Sequence, residues 1–130
     1  MFEGKKITFI GGGNMGEAIL SRILNASVVV ASQVFVAEKT AERQHYLETT
    51  YGVSVVSLEN VAEDTDYIFL AIKPQQLAEL PVFTPKQETV VISILAGTPI
   101  NKIKDHFQGA KCKKKARYWY KISQYLVKTS

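Results

Sequence analysis

Residues 7–20 read ITFIGGGNMGEAIL, and this stretch decides the fold. A short run of β-branched and aromatic residues, 7–10, is followed at once by glycines and then by a helical pattern. Such a run ending in glycines is typical of a buried strand. Glycine inside a strand or helix costs about 0.5–1 kcal/mol relative to alanine. The cluster therefore predicts either a tight turn or a ligand that approaches the backbone closely.

Three of the glycines, Gly11, Gly13 and Gly16, fit the pattern G-x-G-x-x-G. That pattern alone is weak, but here it follows a strand and opens a helix, as a dinucleotide-binding loop requires. In that interpretation Gly11 permits the turn, Gly13 lets a pyrophosphate approach, and Gly16 lets the helix pack on the strand. Gly12 stands where the pattern accepts any residue, so the pattern does not require a glycine there. A purely structural turn is the alternative.

Strands and helical segments alternate along the chain. Expected strands cover residues 6–10, 34–37, 53–56, 67–72 and 89–95, and expected helices begin after residues 13, 40, 57 and 74 and at residue 98. This alternation predicts an α/β fold of the Rossmann type, a doubly wound parallel sheet in a single domain.

Composition indicates a globular domain, with 46% apolar and 22% charged residues among 130. The one cysteine, Cys112, excludes an internal disulfide and fits a reducing compartment. Since the sequence shows neither a long apolar run nor a signal-peptide pattern, we expect a cytoplasmic protein without a membrane partner.

The net charge of +4 is unevenly distributed. Residues 111–130 hold seven Lys/Arg and no acid, whereas residues 1–110 hold nine Lys/Arg and all twelve acids. The sequence therefore predicts a mildly acidic domain followed by a basic, aromatic tail.

An acid follows the second expected strand. Glu38 lies 22 residues after Gly16, close to the spacing of the acid that binds the adenosine ribose in dinucleotide-binding folds. Such an acid favours NAD, but Lys39, Thr40 and Arg43 come next and offer groups for the 2′-phosphate of NADP. The sequence leaves NAD and NADP equally open.

With these residues placed, the chain resembles pyrroline-5-carboxylate reductase, the enzyme of the last step of proline biosynthesis. The stretches that carry the resemblance are ITFIGGGNMGEAIL at residues 7–20, IFLAIKPQQL at 68–77 and VVISILAGTPINKI at 90–103. The resemblance implies an oxidoreductase that transfers hydride from NADPH or NADH to the cyclic imine 1-pyrroline-5-carboxylate, yielding proline. It also implies a set of cofactor-binding residues: Ile10, Gly11, Gly13, Asn14 and Met15 at the pyrophosphate, Ala71, Lys73 and Pro74 beside the cofactor, and Ala96 and Gly97 near the nicotinamide.

The resemblance ends near Cys112, so we divide the chain into a dinucleotide-binding domain, residues 1–112, and a tail, residues 113–130. The helical domain that carries the substrate pocket in the family has no counterpart here. The sequence thus predicts cofactor binding with little or no turnover, and it leaves the catalytic residues and the oligomeric state unknown. A frame shift or truncation after residue 112 explains the tail, and a packed tail or a segment that contacts nucleic acid are the alternatives. A fragment of another Rossmann reductase is a further alternative.

Two histidines, His45 and His106, lack metal-ligating neighbours at suitable spacing, so no metal site is expected. Lys73 is the lysine of interest, because it follows the fourth strand, where parallel sheets bind ligands.

Overall fold

The computed structural model of the chain describes residues 2–61, 64–83, 89–93, 102–103 and 106–107. The named elements are β1 (Ile7–Ile10), α1 (Asn14–Asn25), β2 (Val34–Ala37), α2 (Ala41–Tyr51), β3 (Ser54–Val56), β4 (Tyr67–Leu70) and β5 (Val90–Ser93). Three short 3-10 helices, Ala31–Gln33, Leu58–Asn60 and Pro74–Glu79, lie between them.

The strands of the described ranges form one five-stranded sheet in the order β3-β2-β1-β4-β5, and every neighbouring pair is parallel. β1 is central, since Ile7 lies opposite both Val34 of β2 and Tyr67 of β4. The carboxyl ends of all strands meet at one edge, and the direction of the chain across the sheet reverses between β1 and β4. Ligands of such sheets bind at that point. The predicted Rossmann-type α/β fold is confirmed.

Apolar side chains cover both faces of the sheet. Alternate residues of a strand face opposite sides, so β1 contributes Ile7 and Phe9 to one face and Ile10 to the other. On the first face, α1 and α2 pack through Ile19, Leu20, Ile23 and Leu47. On the second face, the strands pack with Leu77, Phe83, Ile103 and Phe107. Burial on both faces explains why β2 and β4 read as continuous apolar runs, whereas the half-buried β3 does not.

The predicted element boundaries differ from the observed ones by one or two residues. β4 ends at Leu70 rather than residue 72, although the backbone N–H of Ala71 still donates to the Ile10 carbonyl of β1 at 2.8 Å. The helix predicted after residue 74 is a 3-10 helix, Pro74–Glu79. The tail of residues 113–130 lies outside the described residues, and so does most of the helix predicted from residue 98. Lys102 and the buried Ile103 are helical as predicted, whereas Phe107 is buried but forms an isolated parallel bridge with Phe83 instead of lying on the helix.

None of the helices in the described ranges is long and apolar enough to cross a lipid bilayer.

Candidate functional site

The glycine loop connects β1 to α1 at the carboxyl edge of the sheet. Gly11 has φ +102°, a backbone conformation that favours glycine, and a Cβ there would lie 2.6 Å from the Ala71 carbonyl oxygen. A Cβ on Gly16 would lie 2.5 Å from the Gly11 carbonyl oxygen. Both glycines are therefore required because backbone segments pack against each other, Gly11 against the loop after β4 and Gly16 against the turn itself.

Gly13 differs from these two. It is exposed, its φ is an ordinary −77°, and a Cβ added to it would meet no atom within 4 Å. Asn14 and Met15 beside it are also exposed, Met15 by 59%. The first amides of a helix lack intrahelical acceptors and carry the positive end of the helix dipole. The exposed start of α1 therefore has the geometry of an anion-binding site.

Gly12, which the G-x-G-x-x-G pattern does not require, has a packing role that the pattern does not describe. It is buried, and a Cβ there would lie 2.6 Å from Cδ1 of Leu47 in α2. The sequence pattern left this position free because it describes only the strand, the loop and the first helix. The space for a side chain at residue 12 is taken by the buried Leu47 of the second helix, with Val36 and Glu38 at 3.2 and 3.3 Å from the added Cβ.

Glu38 follows β2 and lies beside the glycine loop, as predicted. Its carboxylate accepts hydrogen bonds from the backbone N–H of Gly12 at 3.0 Å and of Thr40 at 2.8 Å. The side chain of Thr40 makes no capping hydrogen bond at the start of α2, although the residue holds the predicted position before the helix.

The two cations predicted to serve a 2′-phosphate have different surroundings. The Lys39 side chain is 70% exposed, and its Nζ lies 3.4 Å from Oε2 of Glu79, across the carboxyl end of the sheet. The Arg43 side chain is only 30% exposed and binds protein groups, namely the Gly12 carbonyl and the Glu17 carboxylate.

The loop after β4 forms the other side of the candidate site. Ala71 is buried against Gly11, whereas Lys73 and Pro74 are exposed at the start of the 3-10 helix. The backbone N–H of Lys73 donates to Oε1 of Gln76 at 2.9 Å, which fixes the turn. Since β1 and β4 are neighbours, the structure brings this loop next to the glycine loop. Ala96 and Gly97 lie outside the described residues.

Between α1 and α2 lies a polar cluster that the sequence reasoning missed. Glu17 accepts hydrogen bonds from the hydroxyls of Tyr46 at 2.7 Å and Tyr51 at 2.6 Å, and from Nη2 of Arg43 at 2.9 Å. The Tyr51 and Tyr46 hydrogen bonds, with a smaller contribution from Arg43, lower the pKa of Glu17. Burial and the bond to Glu17 raise the pKa of Tyr51, and the bond to Glu17 raises the pKa of Tyr46. The helical spacing of Arg43, Tyr46 and Tyr51 was a usable signal in the sequence, but their common partner lies on another helix.

Among the described residues no group of three His, Cys, Asp or Glu side chains is placed to hold a metal ion. His45 is exposed on α2.

A glycine loop after the central strand, an acid after its neighbour and the strand order together define a Rossmann-type dinucleotide-binding domain. The chain belongs to the family described as NADP oxidoreductase, coenzyme F420-dependent, which matches residues 6–97.

Individual relatives agree with the predicted resemblance. Pyrroline-5-carboxylate reductase of Mycobacterium tuberculosis is 35% identical over 109 residues, which cover 77% of this chain and 37% of that protein. The structure of a pyrroline-5-carboxylate reductase from Coxiella burnetii matches with a TM-score of 0.66 and 24% identity, over 77% of this chain and 38% of that one. The Plasmodium falciparum pyrroline carboxylate reductase with NADP bound matches with a TM-score of 0.62 and 25% identity, over 80% of this chain and 38% of that one.

The resemblance to pyrroline-5-carboxylate reductase is confirmed. The chain spans somewhat more than a third of the length of these relatives.

Proposed function

We propose that the chain binds a nicotinamide dinucleotide and serves as the cofactor-binding domain of a pyrroline-5-carboxylate reductase. One observation carries the binding proposal. Of the three glycines in the G-x-G-x-x-G pattern, Gly13 is the one with open space around it, and it lies directly at the exposed start of α1. The similarity to named reductases supports the reaction.

In this proposal different residues at the carboxyl edge bind different parts of the cofactor. Backbone groups of the glycine loop, from Ile10 to Gly16, hold the pyrophosphate through N–H donors and the helix dipole. Glu38 lies where the adenosine ribose binds in this fold. The exposed Lys73 and Pro74 border the cofactor from the loop after β4, and the family resemblance assigns Ala96 and Gly97 to the nicotinamide.

The bound dinucleotide supplies the hydride that reduces the imine carbon of 1-pyrroline-5-carboxylate. The contribution of this chain is to hold the donor in one orientation at a fixed edge of the sheet. Orientation of this kind lowers the barrier because the entropy of bringing the reactants together is lost on binding rather than during the reaction.

Lys39 supports the use of NADP. Its ammonium group is exposed beside Glu38, and its one partner among the described contacts is the equally exposed carboxylate of Glu79. Exposed ion pairs of this kind contribute little to stability, so Lys39 is free to exchange Glu79 for a phosphate. We expect Lys39→Gln to weaken NADPH binding by about tenfold, the value of one charge-assisted hydrogen bond, and to leave NADH binding nearly unchanged.

Calorimetric titration of the purified chain with NADPH and NADH tests the binding proposal. A matched variant, Gly13→Val, places a side chain at the helix start, where an added Cβ meets no protein atom within 4 Å. We expect this variant to keep the fold and to lose more than about tenfold in affinity, because it blocks the close approach of phosphate to the amides. The control is Glu48→Gln, an exposed position on α2.

Unaltered affinity in Gly13→Val, or a wild-type chain that binds neither dinucleotide, contradicts the binding proposal. The reductase assignment is tested separately, with a chimera in which this chain replaces the corresponding domain of a related pyrroline-5-carboxylate reductase. NADPH oxidation by the chimera is followed in the presence of 1-pyrroline-5-carboxylate. A chimera that binds NADPH and does not reduce the imine contradicts that assignment.

A further inference from the structure

Arg43 joins three parts of the candidate site that are distant in sequence. Its Nε and Nη2 donate to the Gly12 carbonyl oxygen at 3.1 and 2.6 Å, and Nη2 also donates to Oε1 of Glu17 at 2.9 Å. One guanidinium in α2 thus holds the middle of the glycine loop and the first turns of α1. The side chain is 30% exposed and that of Glu17 is 20% exposed, so these bonds are largely shielded from water.

The bond to Gly12 has a directional consequence. A trans peptide unit is planar, with its C=O and N–H pointing in opposite directions, and the structure contains no cis peptide among its described residues. When Arg43 holds the Gly12 carbonyl toward α2, the N–H of Gly13 in the same unit points away from α2. The preceding peptide is fixed as well, since the Gly12 N–H donates to Glu38 at 3.0 Å. Two successive peptide planes of the loop are therefore oriented by the side chains of Glu38 and Arg43, which follow β2 in the chain.

The bond to Glu17 has an electrostatic consequence. Glu17 stands in the first turn of α1, close to the proposed phosphate position, and a bare carboxylate there repels a diphosphate. The two tyrosine hydroxyls stabilise the charged form of this carboxylate. Arg43 supplies the compensating positive charge at 2.9 Å.

We propose that Arg43 is a positioning residue for dinucleotide binding: it orients the Gly12–Gly13 peptide and neutralises Glu17, and it does not bind the 2′-phosphate. The role rests on the proposed function, because it concerns the same site. It replaces the interpretation from sequence in which Arg43 was one of three candidates for that phosphate.

The test compares Arg43→Met, Arg43→Lys and Lys39→Gln by titration with NADPH and NADH, well below each variant's melting temperature. For Arg43→Met we expect both affinities to fall by about tenfold or more with an unchanged NADPH/NADH ratio, because a charge-assisted bond to the shared loop is lost. Arg43→Lys retains the positive charge but not the paired Nε and Nη2 donors, and its affinity for both dinucleotides should fall less than that of Arg43→Met. Lys39→Gln should change the ratio. Loss of NADPH affinity alone in Arg43→Met, or no loss of either, overturns the proposal.

The double variant Glu17→Gln/Arg43→Met separates the two consequences. Removing the uncompensated Glu17 carboxylate should restore part of the lost dinucleotide affinity. The rest should not return, because the Gly12–Gly13 peptide is no longer held by Arg43. A purely structural role for Arg43 predicts no such recovery, since the double variant removes even more interactions.

Hydrogen exchange distinguishes failure of this inference from failure of the proposed function. Even if the wild-type chain bound no dinucleotide, Arg43→Met should speed exchange of the Gly12 amide, which donates to Glu38, and leave the β1 amides unchanged. Equal exchange in wild type and variant contradicts the positioning role independently of binding.

Discussion

Gly11 and Gly13 stand two residues apart in the same loop and yet have opposite structural requirements. At Gly11 two constraints exclude a side chain, the positive φ and the Ala71 carbonyl oxygen, which would lie 2.6 Å from an added Cβ, whereas Gly13 has neither constraint. We expect Gly11→Ala to lower the free energy of unfolding by about 2 kcal/mol or more, because strain and overpacking add. Gly13→Ala should change it by less than about 1 kcal/mol.

Chemical denaturation of the two variants measures the difference. Equal destabilisation would show that the loop, rather than its contact with Ala71, sets the requirement for glycine. At this scale the sequence pattern already separated Gly11 and Gly16, which it assigned to the turn and to helix packing, from Gly13, which it assigned to the approach of a ligand. It could not identify the group that packs on Gly11, because that group is the carbonyl of residue 71, which is 60 residues away in the chain.

At the scale of elements, α2 is held to α1 largely by polar contacts, since Leu47 is its one fully buried side chain. Tyr51 of α2 donates to Glu17 of α1 at 2.6 Å. Removing the hydroxyl in Tyr51→Phe should lower the free energy of unfolding by about 1–2 kcal/mol at neutral pH, the low end of the range for a hydrogen bond to a charged group, because both residues are only half-buried. Urea unfolding checks this value, with Tyr46→Phe as the more exposed comparison.

The same pair predicts a pH dependence. The pKa of Glu17 is lowered on folding, so its contribution is present above the ordinary value near 4.5 and is lost as pH falls below it. The pKa of Tyr51 is raised, so its contribution is present below the ordinary value near 10 and is lost as pH rises above it. The stability difference between wild type and Tyr51→Phe should therefore be largest between about pH 5 and 9. A difference independent of pH would exclude the bond to an ionised Glu17.

The order and type of the main elements could be predicted because β1, β2, β4 and β5 are largely buried on both faces and read as mostly apolar runs between turn residues, whereas β3 is only half-buried. The contacts between elements could not. Arg43, Glu17 and Tyr51 meet only after α1 and α2 lie side by side on one face of the sheet, and their chain separations of 26 and 34 residues exceed any local pattern. A polar face of α2 is also what a solvated helix shows, so the sequence alone did not distinguish the two.

At the scale of the whole molecule, the proposed binding groups and a stabilising polar cluster lie at opposite ends of the sheet's strands. The proposed binding groups lie at the carboxyl edge. On the amino-terminal side, three buried threonines are joined by hydrogen bonds, Thr8 to Thr65 at 2.9 Å and Thr89 to the Thr65 carbonyl at 2.7 Å. The Thr65 hydroxyl also lies 3.1 Å from the carbonyl oxygens of Lys6 and Tyr67. This cluster therefore ties β1, β4 and β5 together away from the cofactor position.

Thr65→Val keeps the shape of this side chain and leaves the surrounding polar groups without their partner. We expect the free energy of unfolding to fall by about 1–3 kcal/mol, the penalty for buried unsatisfied groups. Affinity for NADPH, measured by titration well below the melting temperature, should stay within about twofold of wild type, since distant sites act independently. The exposed Thr50→Val on α2 is the matched control and should change neither quantity. Gly13→Val should give the reverse result, lost affinity with retained stability. If Thr65→Val instead weakens NADPH binding as strongly as Gly13→Val, the two edges are coupled through the central strands and the separation of tasks is wrong.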